Sequence, residues 1–84
     1  MKNNELLKKQ IVYRSTHRGN KEMDLLLGSF VKKNIDLFSD SELYDLNKLM
    51  LTDDEILQRW YFNKEKQKLI PDNNVTTMLK NFRL

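Results

Sequence analysis

The segment RGNKEMD at residues 18–24, followed at once by LLLGSFV at residues 25–31, decides how this chain folds. Gly19 can adopt a positive φ without a steric penalty, so it is able to end one helix and turn the chain into the next. Glu22 and Asp24 then fall in the first turns of a second helix, where the positive end of the helix dipole favours carboxylates. The pattern therefore predicts two helices joined by a tight turn.

The apolar residues of this segment recur at the spacing of one helix face. They follow an i, i+3, i+4, i+7, i+8 pattern, which is typical of the buried stripe of an amphipathic helix. The stripe consists of Met23, Leu26, Leu27, Phe30 and Val31. Gly28 lies inside this helix at a cost of about 1 kcal/mol relative to Ala, so we expect a neighbouring helix to approach closely there. Arg18, just before the turn, is expected to point outward.

Helical patterns on both sides of this segment indicate an all-α fold. A first helix is expected over residues 4–17, and the second from about residue 20 to residue 33. The apolar side of the first helix consists of Leu6, Leu7, Ile11 and Tyr13. A connector at residues 34–38 is expected to pack its apolar side chains, Ile35, Leu37 and Phe38, against the core.

Capping signals place the remaining helices. Residues 39–42 and 52–55 both have the Ser/Thr-x-x-Glu pattern of a capping box, so a third helix runs to about residue 51 and a fourth follows. The inward side chains of the fourth helix are Ile56, Leu57, Trp60 and Tyr61. A last helix is expected after Pro71, which cannot continue a helix. The sequence thus predicts one domain over residues 1–84, a small compact bundle of about five helices.

The composition excludes several classes of protein. A chain of 84 residues has room for one small domain. It has no cysteine and a single histidine, so it offers neither a disulfide framework nor a thiolate or His-rich metal site. No apolar run approaches the roughly 20 residues that cross a bilayer, and residues 1–5 lack the apolar stretch of a signal peptide. We therefore expect a cytoplasmic protein with no membrane insertion and no metal.

The sequence also offers no catalytic constellation. A nucleophile needs an activating base and an orienting group, and His17 has no cysteine to act on and no identifiable acid partner. A Rossmann cradle for FAD needs a Gly-rich loop after a strand, and no such loop is present. We therefore expect that the protein is not an enzyme and has no catalytic residues.

The Arg-Gly-x-x-Glu-x-Asp pattern at residues 18–24 resembles that of the SdhE family of flavinylation factors, which assist covalent FAD attachment to the succinate dehydrogenase flavoprotein. The strings YRSTHRG at residues 13–19 and MDLLLG at residues 23–28 are similar to the alphaproteobacterial branch of that family. The spacing of a leucine, an Asp-Asp pair and a tryptophan within residues 49–60 also matches. The resemblance covers about residues 6–63.

The resemblance implies an assembly factor built as a helical bundle. Such a protein binds the succinate dehydrogenase flavoprotein subunit and promotes covalent attachment of FAD to a histidine of that partner. The FAD is carried by the partner and is not bound tightly by the factor itself. The fumarate reductase flavoprotein is a second partner to which the family is linked.

The resemblance implies that residues in and around the turn contact the partner. They are Arg14, His17, Arg18, Gly19, Glu22 and Asp24. Arg18 offers a bidentate fork to carboxylates or carbonyls. Gly19 leaves room for a partner's backbone, and Glu22 accepts hydrogen bonds. Asp24 is expected to orient Arg18 or Arg14 from beside it.

Two alternatives stay open from the residues alone. The turn uses the chemistry of any helix end, so Gly19 can be a simple C-cap and the carboxylates can simply complement the dipole. The isoelectric point near 9.2 and the basic first helix also fit a small nucleic-acid-binding or regulatory module. Residues 22–63 carry nine acids against four bases, however, which argues against nucleic acid as a partner.

Overall fold

The regular structure of the described residues consists of five α-helices and one short 3₁₀ turn. The structure is a computed structural model that describes residues 2–84, with side chains from residue 4 onward. The expectation that residues 1–5 do not form a signal peptide therefore falls partly outside the described residues. The elements in chain order are α1 (Lys2–Thr16), α2 (Lys21–Asn34), the 3₁₀ turn (Ile35–Leu37), α3 (Asp40–Met50), α4 (Asp54–Phe62) and α5 (Asn74–Asn81). No strand occurs within residues 2–84. The all-α prediction is therefore confirmed.

The turn between α1 and α2 has the backbone conformation that the sequence predicts. Gly19 has a φ of +84°, in the left-handed region that favours glycine. Asn20 follows as the N-cap of α2, and its side-chain oxygen accepts a hydrogen bond from the Met23 N–H at 3.2 Å. A Cβ on Gly19 would meet no atom within 4 Å, so glycine is needed here for its conformation and not for space.

The close helix approach expected at Gly28 is also present. A Cβ built on Gly28 would lie 3.0 Å from Cγ2 of Thr16, at the end of α1. The missing side chain therefore lets α1 lie close against α2. Helix α1 also packs on α3, and α3 in turn packs on α5.

A single core lies between the helices. The whole predicted stripe of α2 is buried, and α1 adds Ile11 to it. The other helices contribute Leu43, Leu46, Leu49, Met50, Leu57, Trp60, Val75 and Leu79. Burial of this stripe anchors the first turn of α2, so the polar residues around Gly19 sit on a fixed base.

Three apolar residues that were expected to pack inward are exposed. Leu6, Tyr13 and Leu37 are 59%, 62% and 74% exposed. Each helical residue is rotated by about 100° from the last, so Leu6 and Tyr13 lie on the face of α1 opposite Ile11. The buried line of α1 instead follows Ile11 and Ser15. In the connector, Ile35 and Phe38 are buried as predicted, whereas Leu37 is not.

One of the two capping boxes forms, and the other does not. Ser39 and Glu42 exchange both hydrogen bonds of a capping box at the start of α3. The N-cap of α4 is Asp53 and not Thr52, because Thr52 still hydrogen-bonds to the last turn of α3. Its hydroxyl donates to the Lys48 carbonyl at 3.2 Å. Along residues 2–84, none of the helices combines the length and hydropathy that a bilayer crossing requires.

Candidate functional site

The Arg18 side chain is folded into the molecule, so the prediction that it points outward is wrong. Only 8% of this side chain is exposed. Its Nε donates to Oδ1 of Asp54 at 2.7 Å, and its two terminal nitrogens donate to the backbone carbonyls of Met50 and Thr52. The last carbonyls of a helix lack intrahelical partners and carry the negative end of the dipole. The end of α3 therefore offers acceptors that attract the guanidinium.

Asp24 holds the same residue from the other side. Its Oδ1 accepts a hydrogen bond from the backbone N–H of Arg18 at 2.6 Å. Asp24 therefore does orient Arg18, as expected, but through the backbone. It does not orient Arg14, whose terminal nitrogen donates to Oδ1 of Asn47 at 2.8 Å.

We call this set of contacts the clamp. It consists of Arg18, Asp24, Asp54 and the carbonyls of Met50 and Thr52. The clamp ties the α1–α2 turn to the α3–α4 turn, and it spans 36 residues of sequence between Arg18 and Asp54. A turn held through both its backbone and its side chain presents its remaining residues in one fixed orientation.

Gly19 and Glu22 are the residues of the motif that face solvent. Both are exposed. Glu22 lies at the edge of a surface depression of about 410 Å³, which we call the groove. The groove is lined by Glu22, Leu25, Tyr61, Phe62, Lys64 and Arg83 among others. Its walls are largely apolar, and its basic residues come from the segments after α4 and α5.

A second depression, which we call the cleft, lies on the other side of the turn. It has a volume of about 320 Å³ and is lined by Tyr13, Arg14, His17, Arg18, Leu51 and Asp53 among others. His17 is exposed and stacks on the Tyr13 ring, with centroids 4.0 Å apart and ring planes 14° apart. Its Nδ1 lies 2.9 Å from the Tyr13 carbonyl oxygen, which fixes the ring over the end of α1.

The six residues named from the sequence thus fall into three groups. Arg14, His17 and Arg18 line the cleft, whereas Glu22 lines the groove. Gly19 lies exposed in the turn that separates these two surfaces, and half-buried Asp24 supports the turn. The structure brings them all to one end of α1 and α2, but it does not merge them into one patch.

The sequence does not predict the role of Asp54. It places residues 52–55 only in the pattern of a capping box. Asp54 in fact accepts from a guanidinium at the far end of another helix. The only hint in the sequence was the family-like Asp53-Asp54 spacing, which says nothing about which residue either carboxylate contacts.

The N-termini of helices α2–α5 carry acidic or capping side chains. A pyrophosphate binds where helix N-termini present free N–H groups and positive potential. Here the first turns of α2, α3 and α4 carry Glu22, Asp24, Asp40, Glu42, Asp54 and Glu55, and α5 begins with its own capping box from Asn73 and Thr76. Over residues 2–84, no three His, Asp or Glu side chains are placed to share a metal ion.

The structure is thus a small all-α bundle with a clamped turn and two open depressions beside it. Residues 9–83 match the family model described as "Flavinator of succinate dehydrogenase", and the chain belongs to this family. The resemblance to the flavinylation factors is therefore confirmed.

Curated relatives agree with this assignment. The chain is 38% identical over 76 residues to "Succinate dehydrogenase assembly factor 2, mitochondrial" of Dictyostelium discoideum, covering 90% of this chain and 52% of the relative. It is 32% identical over 73 residues to "FAD assembly factor SdhE" of Acetobacter pasteurianus, covering 87% and 64%. The assembly factor 2 of Meyerozyma guilliermondii is 37% identical over 68 residues, covering 81% and 50%.

The matched region is only part of each relative. The chain spans between about half and two thirds of the length of these curated relatives. Among solved structures, none matches this chain. The common region is the helical domain that contains the clamp.

Proposed function

We propose that this chain is an assembly factor that binds the flavoprotein subunit of succinate dehydrogenase and promotes covalent attachment of FAD to a histidine of that partner. The family match over residues 9–83 carries this proposal, because it includes the whole clamp, the whole cleft and every lining residue of the groove except Leu84. The names of the relatives, which refer to succinate dehydrogenase assembly and to FAD assembly, support it.

In this proposal the turn is the part of the chain that meets the partner. Glu22 is exposed and accepts hydrogen bonds from donors of the flavoprotein. The open space around Gly19 admits a partner's backbone. Because the clamp already fixes the turn, binding loses little further conformational entropy there, and a preorganised surface binds more tightly than a flexible one. Arg14 and His17 extend the contact surface into the cleft.

The chain acts by positioning and not by turnover chemistry of its own. Holding two reacting groups in the right geometry removes most of the entropic barrier to their meeting. The reacting histidine and the cofactor both belong to the partner, in agreement with the acidic helix N-termini of this chain, which do not suit a dinucleotide. We extend the proposal to the fumarate reductase flavoprotein as a second partner.

For the compartment, we propose the bacterial cytoplasm. The support is the similarity of the turn sequence to the alphaproteobacterial branch and the relative from Acetobacter pasteurianus. The alternative of nucleic-acid binding is weakened, because two of the basic side chains of α1 are engaged within the molecule. Lys8 pairs with Asp36 at 3.1 Å, and Arg14 donates to Asn47.

The direct test is co-expression with the flavoprotein subunit, followed by in-gel flavin fluorescence after denaturation. We expect covalent flavin to rise with the wild-type chain and with Lys21→Ala, and to stay at the background level with Glu22→Ala. Lys21 is the matched control, because it is equally exposed in the first turn of α2. No rise with the wild-type chain would refute the assembly role.

A further inference from the structure

The clamp connects the α1–α2 turn to a carboxylate that the motif does not include. We infer that Asp54 is a positioning residue: by holding the Arg18 guanidinium it fixes the turn and so determines where Gly19 and Glu22 stand. This inference rests on the proposed function, since it names a residue that acts on the docking surface through Arg18; Asp54 itself also lines the cleft. Asp54 is 36 residues from Arg18 in sequence and at the start of another helix.

The chemistry of Arg18 requires such a partner. A guanidinium has five N–H donors and stays protonated in proteins. In this structure Nε and both terminal nitrogens donate within the molecule, and Asp54 is the group among these acceptors that carries a negative charge. Without that charge, a cationic side chain that is only 8% exposed would be left with two neutral carbonyls. Leaving a charge buried and uncompensated is strongly unfavourable, so the side chain would move into water.

Release of the side chain would free the turn without unfolding the bundle. The core contacts of α4 come from Leu57 and Trp60, which lie on the inner side of the helix. Asp54 is at its first residue, and its side chain is 23% exposed. The remaining hold on Arg18 would be the bond from its backbone N–H to Asp24, next to a glycine that adopts many conformations. The turn would then sample several orientations.

Glu55→Ala is a matched control for Asp54→Ala. Both residues are carboxylates in the first turn of α4, so both substitutions remove the same favourable interaction with the helix dipole. Glu55 pairs with Arg59 on the surface and is 75% exposed, so it has no part in the clamp. Asp54→Asn adds a conservative variant that keeps an acceptor oxygen for Nε but removes the charge.

The first measurement is the Nε–H resonance of Arg18 in the ¹⁵N-labelled full chain, assigned by its loss in Arg18→Ala. We expect this proton to be protected from solvent exchange in the wild type and in Glu55→Ala. In Asp54→Ala it should exchange rapidly, and the amide resonances of residues 18–22 should shift. An unchanged Arg18 signal in Asp54→Ala overturns the inference.

The second measurement is the affinity for the purified flavoprotein subunit, taken well below the melting temperature of each variant. We expect Asp54→Ala to weaken binding about tenfold, which corresponds to about 1.4 kcal/mol. Glu55→Ala should stay within about twofold, and Asp54→Asn should fall between the two, as expected when an acceptor remains without its charge. If Asp54→Ala does not fold, Asp54→Asn carries the comparison.

A double-substitution cycle distinguishes positioning from separate contributions. Arg18 and Asp54 act through one contact. The double variant Arg18→Ala/Asp54→Ala should therefore bind the flavoprotein no more weakly than the weaker-binding single variant. Additive losses overturn the inference. If the wild-type chain binds the flavoprotein and Asp54→Ala binds it with equal affinity, only the positioning role is refuted. A wild-type chain that does not bind refutes the proposed function and the positioning role together.

Discussion

The cleft and the groove lie on either side of one turn, yet they use the motif residues in opposite ways. On the cleft side, the Arg18 guanidinium donates its hydrogen bonds to acceptors within the molecule, and the side chain is 8% exposed. On the groove side, Glu22 is exposed beside largely apolar walls, which include Leu25 at 60% and Phe62 at 49% exposure. Residues of one motif therefore have different positions: Arg18 holds the turn from inside the molecule, whereas Glu22 is open to solvent.

The largest effect is expected from a core substitution, because it would disrupt both the cleft and the groove. Leu27 is completely buried in the stripe that anchors α2. Leu27→Ala should lower the free energy of unfolding by about 2–5 kcal/mol, because it deletes buried methyl groups and leaves a cavity. Urea unfolding followed by circular dichroism measures this loss. A change below about 0.5 kcal/mol, the usual range of surface sites, would mean that the turn does not depend on this core.

Arg18→Ala should affect the cleft side first. The substitution leaves the Met50 and Thr52 carbonyls and the Asp54 carboxylate without their donor. We expect a loss of about 1–3 kcal/mol of stability, the typical cost of unsatisfied buried polar groups. Arg18→Lys should not restore it, because one ammonium cannot reach the three acceptors of the fork. Full rescue by lysine would show that charge alone matters and would contradict the clamp.

Substitutions at Gly19 separate the conformation of the turn from its surface. Gly19→Ala should cost about 1 kcal/mol, because φ is +84° and a Cβ is disfavoured there even though no atom lies within 4 Å. Gly19→Arg should cost a similar amount of stability but abolish promoted flavinylation, since it adds bulk where the partner approaches. Thermal melting measures the cost in stability, and in-gel flavin fluorescence measures the promoted flavinylation. Equal flavinylation with both variants would argue against close approach at this position.

The smallest effect lies outside both surfaces and serves as a reference. The Ser39 backbone N–H, and then the Asn74 side chain, lower the pKa of Glu42 from its ordinary value of 4.5. A carboxylate with a lowered folded-state pKa contributes stability above its unfolded pKa, and it loses this contribution as the pH falls through the folded value. The small advantage of the wild type over Glu42→Gln should therefore shrink below about pH 4.5.

Urea midpoints across the acidic range measure this difference. An advantage for the wild type that grows with acidity would have the wrong sign for a capping carboxylate. Because Glu42 caps α3 and lines neither the cleft nor the groove, flavinylation by Glu42→Gln at neutral pH should match that of the wild type.

Local sequence is enough to predict the features that depend on neighbours within a few residues. The apolar stripe of α2, the left-handed turn at Gly19 and the capping box at Ser39 follow from helical periodicity, backbone sterics and local hydrogen bonds. Such features need only a short window of sequence to be recognised.

The direction in which the side chains at the turn face depends on contacts between distant parts of the chain. The sequence predicts that Arg18 points outward, whereas its side chain is folded into the molecule. Its acceptors lie 32 to 36 residues away, at the junction of α3 and α4. The exposure of Leu6 and Tyr13 has the same origin, because α1 has apolar residues on two faces and only packing against α2 and α3 selects one. Contacts between distant segments exist only after the chain has folded, so a local pattern cannot specify them.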